Sequence, residues 1–440
     1  MTLRMTVLGT GYLGATHAAC MAELGFEVLG MDVDESKIAR LAAGEVPFFE
    51  PGLEPLLRKG LDGGRLRFTT SYADVADFGD IHFLCVGTPQ VKNGIAADLS
   101  YVESVVSGLA PHLTRPTVVA GKSTVPVGTA ARLAERFRAE SPAGAAVELA
   151  WNPEFLREGF AIEDTLRPDR LVFGVVEGGR AEATLRAAYA PVIAAGTPVV
   201  VTDFATAELV KVAANAFLAT KISFINAMAE VCESTHADVK KLSEALSHDT
   251  RIGGRFLHAG LGFGGGCLPK DIRAFMARAE ELGVDQALSF LREVDAINLR
   301  RRARMVDLAR EIVGGDFQGQ RVGVLGAAFK PNSDDIRDSP ALDVAATILG
   351  AGATVTVYDP AALDNARRQH PELGYAETAA EAARDADVLL HLTEWTEFRD
   401  MDPATLADVV RQRRIVDGRN ALDPDRWRAA GWTYRALGRP

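Results

Sequence analysis

Three glycines in the segment 9–14, GTGYLG, have the spacing of a phosphate-binding turn. Gly9, Gly11 and Gly14 directly follow an apolar run and open a helical pattern, so that backbone N–H groups and the positive helix end can meet a pyrophosphate. Asp32 ends the next apolar run, where a carboxylate accepts hydrogen bonds from ribose hydroxyls and repels a 2′-phosphate. The pattern predicts a dinucleotide site that prefers NAD to NADP. Glycines that serve only a tight turn are the alternative.

Cys267 lies in the glycine-rich segment 260–271, GLGFGGGCLPKD. The small side chains in this segment would let a substrate carbon approach the thiol closely. If Lys270 or another cation lowers its pKa, the thiol can attack an aldehyde. An isolated cysteine is more often a core residue. That is what we predict for the three cysteines in helical or strand-like patterns: Cys20, Cys85 and Cys232.

Lys211 and Asn215 are four residues apart in a helical stretch, with Glu208 one turn earlier. A cation and an amide on one face can hold an oxyanion, although a solvated stripe gives the same pattern. Three other segments add groups that can move protons or hold phosphate. These groups are Glu154 and Glu158 in NPEFLREG, Thr124 in KSTVPVGT, and Lys330 and Arg337 in FKPNSDDIRDSP. The spacing does not indicate which glutamate faces the site.

Short apolar runs alternate with helical stretches over the first 200 residues, which predicts a parallel, doubly wound sheet. The runs lie at 5–9, 26–32, 80–87, 116–123, 147–153 and 170–176. From Ala207 to about Ser234 the chain lacks Gly and Pro, which predicts one helix of roughly 28 residues, about 42 Å long. A helix of this length usually spans domains or lies in a subunit interface.

The opening pattern returns after a second helical stretch at 284–313. Strand-like runs begin at 321 and 354, and Gly323, Gly326 and Asp359 repeat part of the first motif. This half could bind a nucleotide or serve only for packing. We therefore predict an α/β protein in which a central helical domain joins two Rossmann-like doubly wound domains. The predicted boundaries are 1–203, 204–305 and 306–440.

The composition excludes several classes of protein. Lys plus Arg number 48 against 59 Asp plus Glu among 440 residues, a net charge of −11, which disfavours a nucleic-acid binder. The hydrophobic content of 48% and charged content of 24% are typical of a folded globular protein. Four cysteines without a CxxC pair favour a reducing cytoplasm. We expect neither a signal peptide nor a membrane span.

Eight ordered motifs resemble those of the UDP-glucose/GDP-mannose dehydrogenase family, especially its UDP-glucose branch. They are GTGYLG, FFEPGL, VGTP, KSTVPVGT, NPEFLREG, AELVKVAANAF, RIGGRFLHAGLGFGGGCLPKD and FKPNSDDIRDSP. The resemblance covers about residues 5–420. It implies an N-terminal NAD-binding domain, a central domain that dimerises and carries the catalytic loop, and a C-terminal UDP-sugar-binding domain.

The resemblance also implies a reaction: four-electron oxidation of the C6 alcohol of UDP-glucose to a carboxylate, with two NAD in succession and no metal. In the family's mechanism, Cys267 binds the intermediate aldehyde as a thiohemiacetal, which is oxidised to a thioester and hydrolysed. The implied catalytic roles are an oxyanion site at Lys211 and Asn215, management of a water and the proton by Asp271 with Thr124, and assistance to hydrolysis by Glu154.

The residues implied in binding follow the same motifs. For NAD they are Gly9, Gly11, Tyr12, Leu13, Gly14, Asp32, Lys37, Thr88, Thr124, Glu158 and Arg337. For the nucleotide sugar they are Glu154, Phe155, Leu156, Lys211, Asn215, Arg251, Phe256, Gly264 and Lys330. Arg251 is expected to reach the site of a neighbouring subunit in a homodimer or dimer-based oligomer. Lys37 has a simpler alternative as a solvated charge.

Two departures from the family pattern flank the thiol. Gly266 stands where many members have Ser, and Leu268 where many have Phe, so the packing of the thiol or the sugar can differ. GDP-mannose and UDP-N-acetylhexosamines remain alternative substrates. A single-hydride dehydrogenase of the hydroxyacid type and a catalytically silent, NAD-responsive binding module are alternative functions, and neither explains Cys267.

Overall fold

The computed structural model describes residues 3–440, which divide into two compact units. The first unit comprises the chain up to Ala214 together with Arg273–Leu282. The second comprises Asn215–Ile272 and Gly283–Pro440. The predicted central segment, 204–305, therefore contributes to both units.

Within the described residues, the first unit contains an eight-stranded sheet. Its strands are β1 (Arg4–Leu8), β2 (Glu27–Met31), β3 (Leu66–Thr69), β4 (Ile81–Leu84), β5 (Thr117–Gly121), β6 (Val147–Trp151), β7 (Leu171–Gly174) and β8 (Val199–Thr202). The order is β3-β2-β1-β4-β5-β6-β7-β8, and its first six strands have the order of a dinucleotide-binding fold. The predicted parallel sheet is confirmed for these six. β7 pairs antiparallel with β6 and parallel with β8, so the last two strands run in the opposite direction.

Helices cover both faces of this sheet, which is why its strands are continuous apolar runs. They are α1 (Tyr12–Glu23), α2 (Glu35–Ala42), α3 (Leu53–Asp62), α4 (Tyr72–Phe78), α5 (Ser100–Leu109), α6 (Thr129–Glu140), α7 (Ala161–Leu166), α8 (Ala181–Ala188) and α9 (Ala190–Ala194). Along β5, Val118 and Ala120 belong to one apolar cluster while Val119 belongs to another. This alternation follows the two-residue period of a strand.

Four helices form the middle of the chain: α10 (Phe204–Thr235), α11 (Val239–Ser247), α12 (Leu268–Glu281) and α13 (Phe290–Val313). The predicted long helix is confirmed as α10, and it begins three residues earlier than predicted. Asp203 explains the difference, because its carboxylate accepts from the N–H (2.8 Å) and the hydroxyl (2.8 Å) of Thr206 and so caps the helix.

By length and composition alone, α10 is apolar enough to cross a bilayer. A buried core helix satisfies the same criterion. Two buried polar side chains of α10 are bonded within the second unit: Ser223 donates to the carbonyl of Val294 (2.7 Å), and Asn226 Oδ1 accepts from the N–H of Gly260 (2.8 Å). Such hydrogen bonds between buried side chains and the backbone are expected of a helix that packs against protein.

In the described part of the second unit, a six-stranded parallel sheet has the order β11-β10-β9-β12-β13-β14. Its strands are β9 (Arg321–Leu325), β10 (Thr354–Tyr358), β11 (Gly374–Tyr375), β12 (Val388–His391), β13 (Arg414–Asp417) and β14 (Thr433–Ala436). Its helices are α14 (Pro340–Gly350), α15 (Leu363–Gln369), α16 (Ala379–Ala383), α17 (Thr396–Asp400), α18 (Pro403–Ala407) and α19 (Pro424–Ala429). The order repeats that of β1–β6, so the predicted second doubly wound sheet is confirmed.

Candidate active site

The glycine turn between β1 and α1 is shaped for close approach of a ligand. Gly9 has a φ of +89°, and a Cβ on Gly14 would lie 1.7 Å from the carbonyl oxygen of Gly9, so both positions need glycine. At Gly11, apart from its neighbours in the chain, no described residue lies within 4 Å of the position a Cβ would take. Among the described residues, no side chain caps the first turn of α1. The open helix end therefore fits the pyrophosphate of a dinucleotide.

Asp32 follows β2 at the position predicted for the ribose contact. Its Oδ2 accepts from the N–H of Thr10 (2.9 Å) and from Lys37 Nζ (2.9 Å), and its Oδ1 from the N–H of Asp34 (3.2 Å). Burial alone would raise the pKa of Asp32, but the hydrogen bonds from Lys37 and the backbone outweigh it and lower the pKa. The carboxylate stays ionised, as NAD selection requires. Lys37 is its ion-pair partner rather than only a solvated charge.

Glu154 and Lys211 form a largely buried ion pair at 2.8 Å. Burial would raise the pKa of Glu154, but the charge and hydrogen bond of Lys211 lower it, as does the N–H of Leu156, which donates to Glu154 at 2.5 Å. Lys211 Nζ also lies 5.7 Å from the ring centroid of Phe155. Glu154 is therefore paired with the predicted catalytic lysine. The carbonyl of Thr124 accepts from the Thr88 hydroxyl (2.7 Å).

Sequence analysis missed Lys122, a buried lysine at the end of β5. Its Nζ donates to Asn152 Oδ1 (3.1 Å) and to the hydroxyl of Tyr189 (3.1 Å), and that hydroxyl donates to Asn152 Oδ1 (2.7 Å). Burial lowers the pKa of Lys122 to about 8, with Glu154 opposing the shift and Lys211 adding to it. A lysine directly after the apolar run 117–121 was the available signal. Lys122 is thus a second cation in the electrostatic surroundings of Glu154.

Glu208 lies on the same helix as Lys211 and Asn215, but it has a different role from the predicted oxyanion site. Its carboxylate accepts from the N–H groups of Gly128 (2.7 Å) and Ala130 (2.6 Å) and so caps α6. Burial raises the pKa of Glu208. Glu208, three residues before Lys211, is therefore engaged by the N-terminus of α6.

Cys267 differs from the other cysteines in the way predicted from its loop. It is exposed and directly precedes α12, and its carbonyl accepts from the N–H of Asp271 (3.0 Å). The positive end of a helix favours a thiolate. The three remaining cysteines are buried, and burial raises the pKa of Cys20 and of Cys85 to about 12, and also the pKa of Cys232. The thiol predicted to react is thus the accessible one.

Asn215 and Asp271 are brought together in the second unit. Both are buried, and Asn215 Nδ2 donates to Asp271 Oδ2 at 2.6 Å. Lys270 Nζ lies 2.5 Å from Asp271 Oδ1, so the cation suggested for the thiol is paired with this carboxylate. Among the described residues, no group of three or more His, Cys, Asp or Glu is arranged to hold a metal ion.

The three glycines before Cys267 allow close packing against another loop of the second unit. A Cβ on Gly264 would lie 2.2 Å from the carbonyl oxygen of Asp338, and one on Gly265 would lie 2.7 Å from the ring of Phe329. One on Gly266 would lie 2.2 Å from Arg337 Cζ. The loop between β9 and α14 therefore packs flush against the segment that ends at the thiol. A serine at 266 would meet the Arg337 guanidinium.

The other predicted ligand residues lie as follows. Tyr12 and Leu13 form the first turn of α1, and Glu158 is half-buried in the loop before α7. In the second unit, Phe256 is half-buried with a φ of +64°, and Lys330 Nζ lies 5.3 Å from the ring centroid of Phe329. Two arginines are exposed and paired with acids close in sequence: Arg251 with Asp249 (2.7 Å) and Arg337 with Asp335 (2.6 Å).

Asp359 occupies in the second sheet the position that Asp32 has in the first, and it is used differently. It is fully buried and accepts from five donors: the N–H groups of Ala327 (2.7 Å), Ala328 (2.9 Å), Ala361 (2.9 Å) and Ala362 (2.9 Å), and Trp395 Nε1 (3.1 Å). Its lone pairs are thus directed at protein donors. The second turn does not offer this carboxylate to a ribose.

Comparison with known proteins gives one consistent family. Three domains of the UDP-glucose/GDP-mannose dehydrogenase family match in order: the NAD binding domain at residues 3–193, the central domain at 205–300 and the UDP binding domain at 323–424. The chain is 42% identical to UDP-glucose 6-dehydrogenase of Rhizobium meliloti, over 100% of both chains. It is 40% identical to UDP-glucose 6-dehydrogenase TuaD of Bacillus subtilis, over 99% of this chain and 93% of the relative.

Solved structures agree with these relatives. A UDP-glucose dehydrogenase from Pyrobaculum islandicum aligns with a TM-score of 0.91 at 38% identity, covering 100% of this chain and 98% of that one. A UDP-D-ManNAc dehydrogenase from Pyrococcus horikoshii aligns with a TM-score of 0.86 at 27% identity, covering 99% of both. With two sheets of dinucleotide-binding order and a long helix that follows the first sheet in the sequence, the chain belongs to the UDP-glucose/GDP-mannose dehydrogenase family.

Proposed function

We propose that this protein oxidises the C6 alcohol of UDP-glucose to the carboxylate of UDP-glucuronate, with two NAD consumed per sugar. The observation that carries the proposal is the exposed thiol of Cys267 at the start of α12, in a chain whose other three cysteines are buried. The family's NAD binding and UDP binding domains, and relatives named UDP-glucose 6-dehydrogenase, support the choice of coenzyme and substrate.

The thiol explains how one site can remove four electrons from a single carbon. NAD, when bound, supplies the hydride acceptor. The first oxidation takes a hydride from C6 and a proton from its hydroxyl and leaves an aldehyde. Sγ of Cys267 then bonds to that carbon while the carbonyl oxygen gains a proton, which gives a thiohemiacetal whose sp3 carbon keeps the aldehyde hydrogen and can lose it as a hydride. The second oxidation leaves a thioester. Water adds to it, the C–S bond breaks, and the acid and the free thiol are released.

The two hydrogen-bonded pairs supply the remaining groups. Lys211 Nζ lies 2.8 Å from Glu154, so the ammonium can stabilise negative charge on the sugar oxygen while the carboxylate accepts a proton from the hydrolytic water. Asn215 donates to Asp271 at 2.6 Å, which fixes the amide on α10 and the carboxylate on α12.

The alternative substrates, GDP-mannose and UDP-N-acetylhexosamines, are disfavoured by the pattern of similarity. The UDP-glucose dehydrogenase aligns at a TM-score of 0.91 and 38% identity, while a GDP-mannose dehydrogenase from Pseudomonas aeruginosa aligns at 0.54 and 27%. The UDP-D-ManNAc enzyme is intermediate in fold agreement at 0.86 but is also only 27% identical. UDP-glucose is therefore the substrate that we propose.

We also propose that the protein acts as a homodimer in the cytoplasm. Phe217, Phe224 and Val231 lie seven residues apart on α10 and are 66%, 49% and 53% exposed. A spacing of seven places them on one helix face, and this apolar face is the surface that a second copy would cover. Within the described residues none of the four cysteines forms a disulfide, which supports a reducing compartment.

The test is the number of NADH molecules formed per molecule of UDP-glucose, UDP-galactose, GDP-mannose and UDP-N-acetylglucosamine. We expect two NADH per UDP-glucose and no acid from Cys267→Ala, while Cys232→Ala, the matched buried cysteine, keeps the activity. One NADH per sugar with release of the aldehyde would refute the covalent mechanism. Turnover of another sugar in preference to UDP-glucose would refute the substrate assignment.

A further inference from the structure

Glu50 is a buried carboxylate in the loop between α2 and α3, and its role is not explained by the proposed chemistry. It is 6% exposed. Its Oε1 accepts from the N–H of Ala161 (2.8 Å), and its Oε2 accepts from the N–H of Gly159 (2.6 Å) and from the hydroxyl of Tyr12. Three neutral donors from two distant parts of the first unit therefore converge on one side chain.

The first of these parts is the phosphate-binding turn. Tyr12 stands between Gly11 and Gly14 and is the first residue of α1. Its ring packs against Phe48, with centroids 5.0 Å apart, and its hydroxyl accepts from the N–H of Gly159 (2.9 Å) while donating to Glu50. Burial and the hydrogen bond to Glu50 raise the pKa of Tyr12, so the hydroxyl keeps its proton and the link persists at neutral pH.

The second part is the end of the loop that carries Glu154 and Glu158. Gly159 directly follows Glu158 and is buried with a φ of +79°. Ala161 is the first residue of α7, whose N-terminus has no side-chain cap of its own within the described chain. Glu50 supplies that cap from outside the helix. One carboxylate thus holds both the end of this loop and, through Tyr12, the glycine turn.

We propose that Glu50 is a positioning residue for the dinucleotide, which fixes the glycine turn and the Glu158 end of the adjacent loop in the arrangement that binds NAD. This inference rests on the proposed use of NAD. A carboxylate suits the task because all its lone pairs accept, whereas the amide of Gln would direct N–H groups at one of the N–H donors. If both parts are already fixed in the free protein, none of the binding free energy of NAD is used to order them.

The experiment measures the dissociation constant of NAD by calorimetric titration of the full-length protein, without sugar. Glu50→Gln and Tyr12→Phe are compared with wild type and with Glu54→Gln, an exposed glutamate four residues along the chain that pairs with Arg58. Each of the two site variants should weaken NAD binding about tenfold, the effect of one lost hydrogen bond to a charged group. The double variant should bind no more weakly than the weaker single variant, because both changes break the same link.

Steady-state kinetics supply a second readout that a merely structural role would not move. KM for NAD should rise in both variants while KM for UDP-glucose stays within about twofold. If Glu50→Gln fails to fold, Tyr12→Phe decides, because it leaves both backbone bonds of Glu50 in place. Unchanged NAD affinity in folded Tyr12→Phe overturns the inference, and so do losses that add in the double variant. Absence of NAD binding in wild type instead overturns the proposed function.

Discussion

At the scale of single residues, the first unit contains a buried positive charge, that of Lys122, which was not predicted from the sequence. Lys122 is buried with Asn152 and Tyr189, without a carboxylate at hydrogen-bond distance among its described partners, and its charge acts on the Glu154–Lys211 pair. Burying a cation without a carboxylate partner costs free energy of folding. Here the charge of Lys122 adds to the larger effect of Lys211 in lowering the pKa of Glu154.

Replacing Lys122 by Met should therefore shift the pH dependence of catalysis. The charge of Lys122 lowers the pKa of Glu154, so its removal raises that pKa and less of the carboxylate is ionised in mild acid. We expect the acid limb of the kcat/KM profile to move to higher pH by about half a unit to one unit. The measurement is kcat/KM for UDP-glucose between about pH 5 and 9, the range around the Glu and His reference pKa values.

Lys59→Met serves as the control, because Lys59 is exposed and pairs with Glu23 at 2.8 Å. Thermal unfolding of Lys122→Met should be unchanged or shifted upward, since Met fills a similar volume and the hydrogen bond of Tyr189 to Asn152 remains. An acid limb at the wild-type pH in a folded Lys122→Met protein would show that the lysine serves packing only.

The residues that sequence predicted best are those whose role is local. The turn at Gly9 and Gly14 is closed by a contact within its own segment and has the predicted geometry, and Cys267 is exposed as its sequence context predicts. Glu50 and Lys122 take their roles from partners more than 25 residues away, Gly159 and Asn152. Side-chain pairs of this kind depend on which strand ends and loops meet, which spacing along the chain does not encode.

At the scale of elements, the same strand-turn-helix unit occurs twice with different uses of its acid. Asp32 keeps one oxygen engaged only by a long bond from Asp34 (3.2 Å) among the described residues. Both carboxylate oxygens of Asp359 accept hydrogen bonds, from backbone N–H groups and from the indole N–H of a tryptophan. The second unit therefore uses the acid to fix its own turn, whereas in the first unit the acid remains available for the proposed ribose contact.

Matched substitutions to Asn should separate these two roles. Asp32→Asn removes the charge that repels a 2′-phosphate, so the ratio of kcat/KM for NAD to that for NADP should fall by about tenfold or more. Asp359→Asn turns an amide N–H₂ toward buried donors and should lower the free energy of unfolding by about 3 kcal/mol without changing that ratio. The two measurements are coenzyme kinetics and urea unfolding of both variants. Coenzyme preference that responds to Asp359 but not to Asp32 would reverse our assignment.

Most strands and helices were predictable because their apolar residues form regular patterns in the sequence. Strands β1, β4, β5 and β6 and helix α10 lie within a few residues of their predicted positions. The direction of β7 was not predictable, because its apolar run is the same in either orientation. The start of α10 was missed because capping by Asp203 depends on one side chain rather than on the repeat.

At the scale of the whole molecule, the proposed dimer gives α10 a second function besides carrying Lys211 and Asn215. Soluble proteins rarely leave a row of large apolar side chains in water, yet Phe217, Phe224 and Val231 are exposed on one face of this helix. If a second copy covers this face, the helix that bears Lys211 and Asn215, the proposed oxyanion residues, is also held by the subunit interface.

Phe224→Glu should therefore dissociate the dimer, because it places a charge at the centre of the apolar face, where burial without a partner costs several kcal/mol. Sedimentation velocity at micromolar concentration should show a dimer for wild type and predominantly monomer for the variant. Val200→Glu is the control, since Val200 is 48% exposed on the edge strand β8, outside α10. A monomeric wild type, or a Phe224→Glu protein that sediments as the dimer, would exclude this face of α10 as the interface, and the exposed phenylalanines would then need another partner.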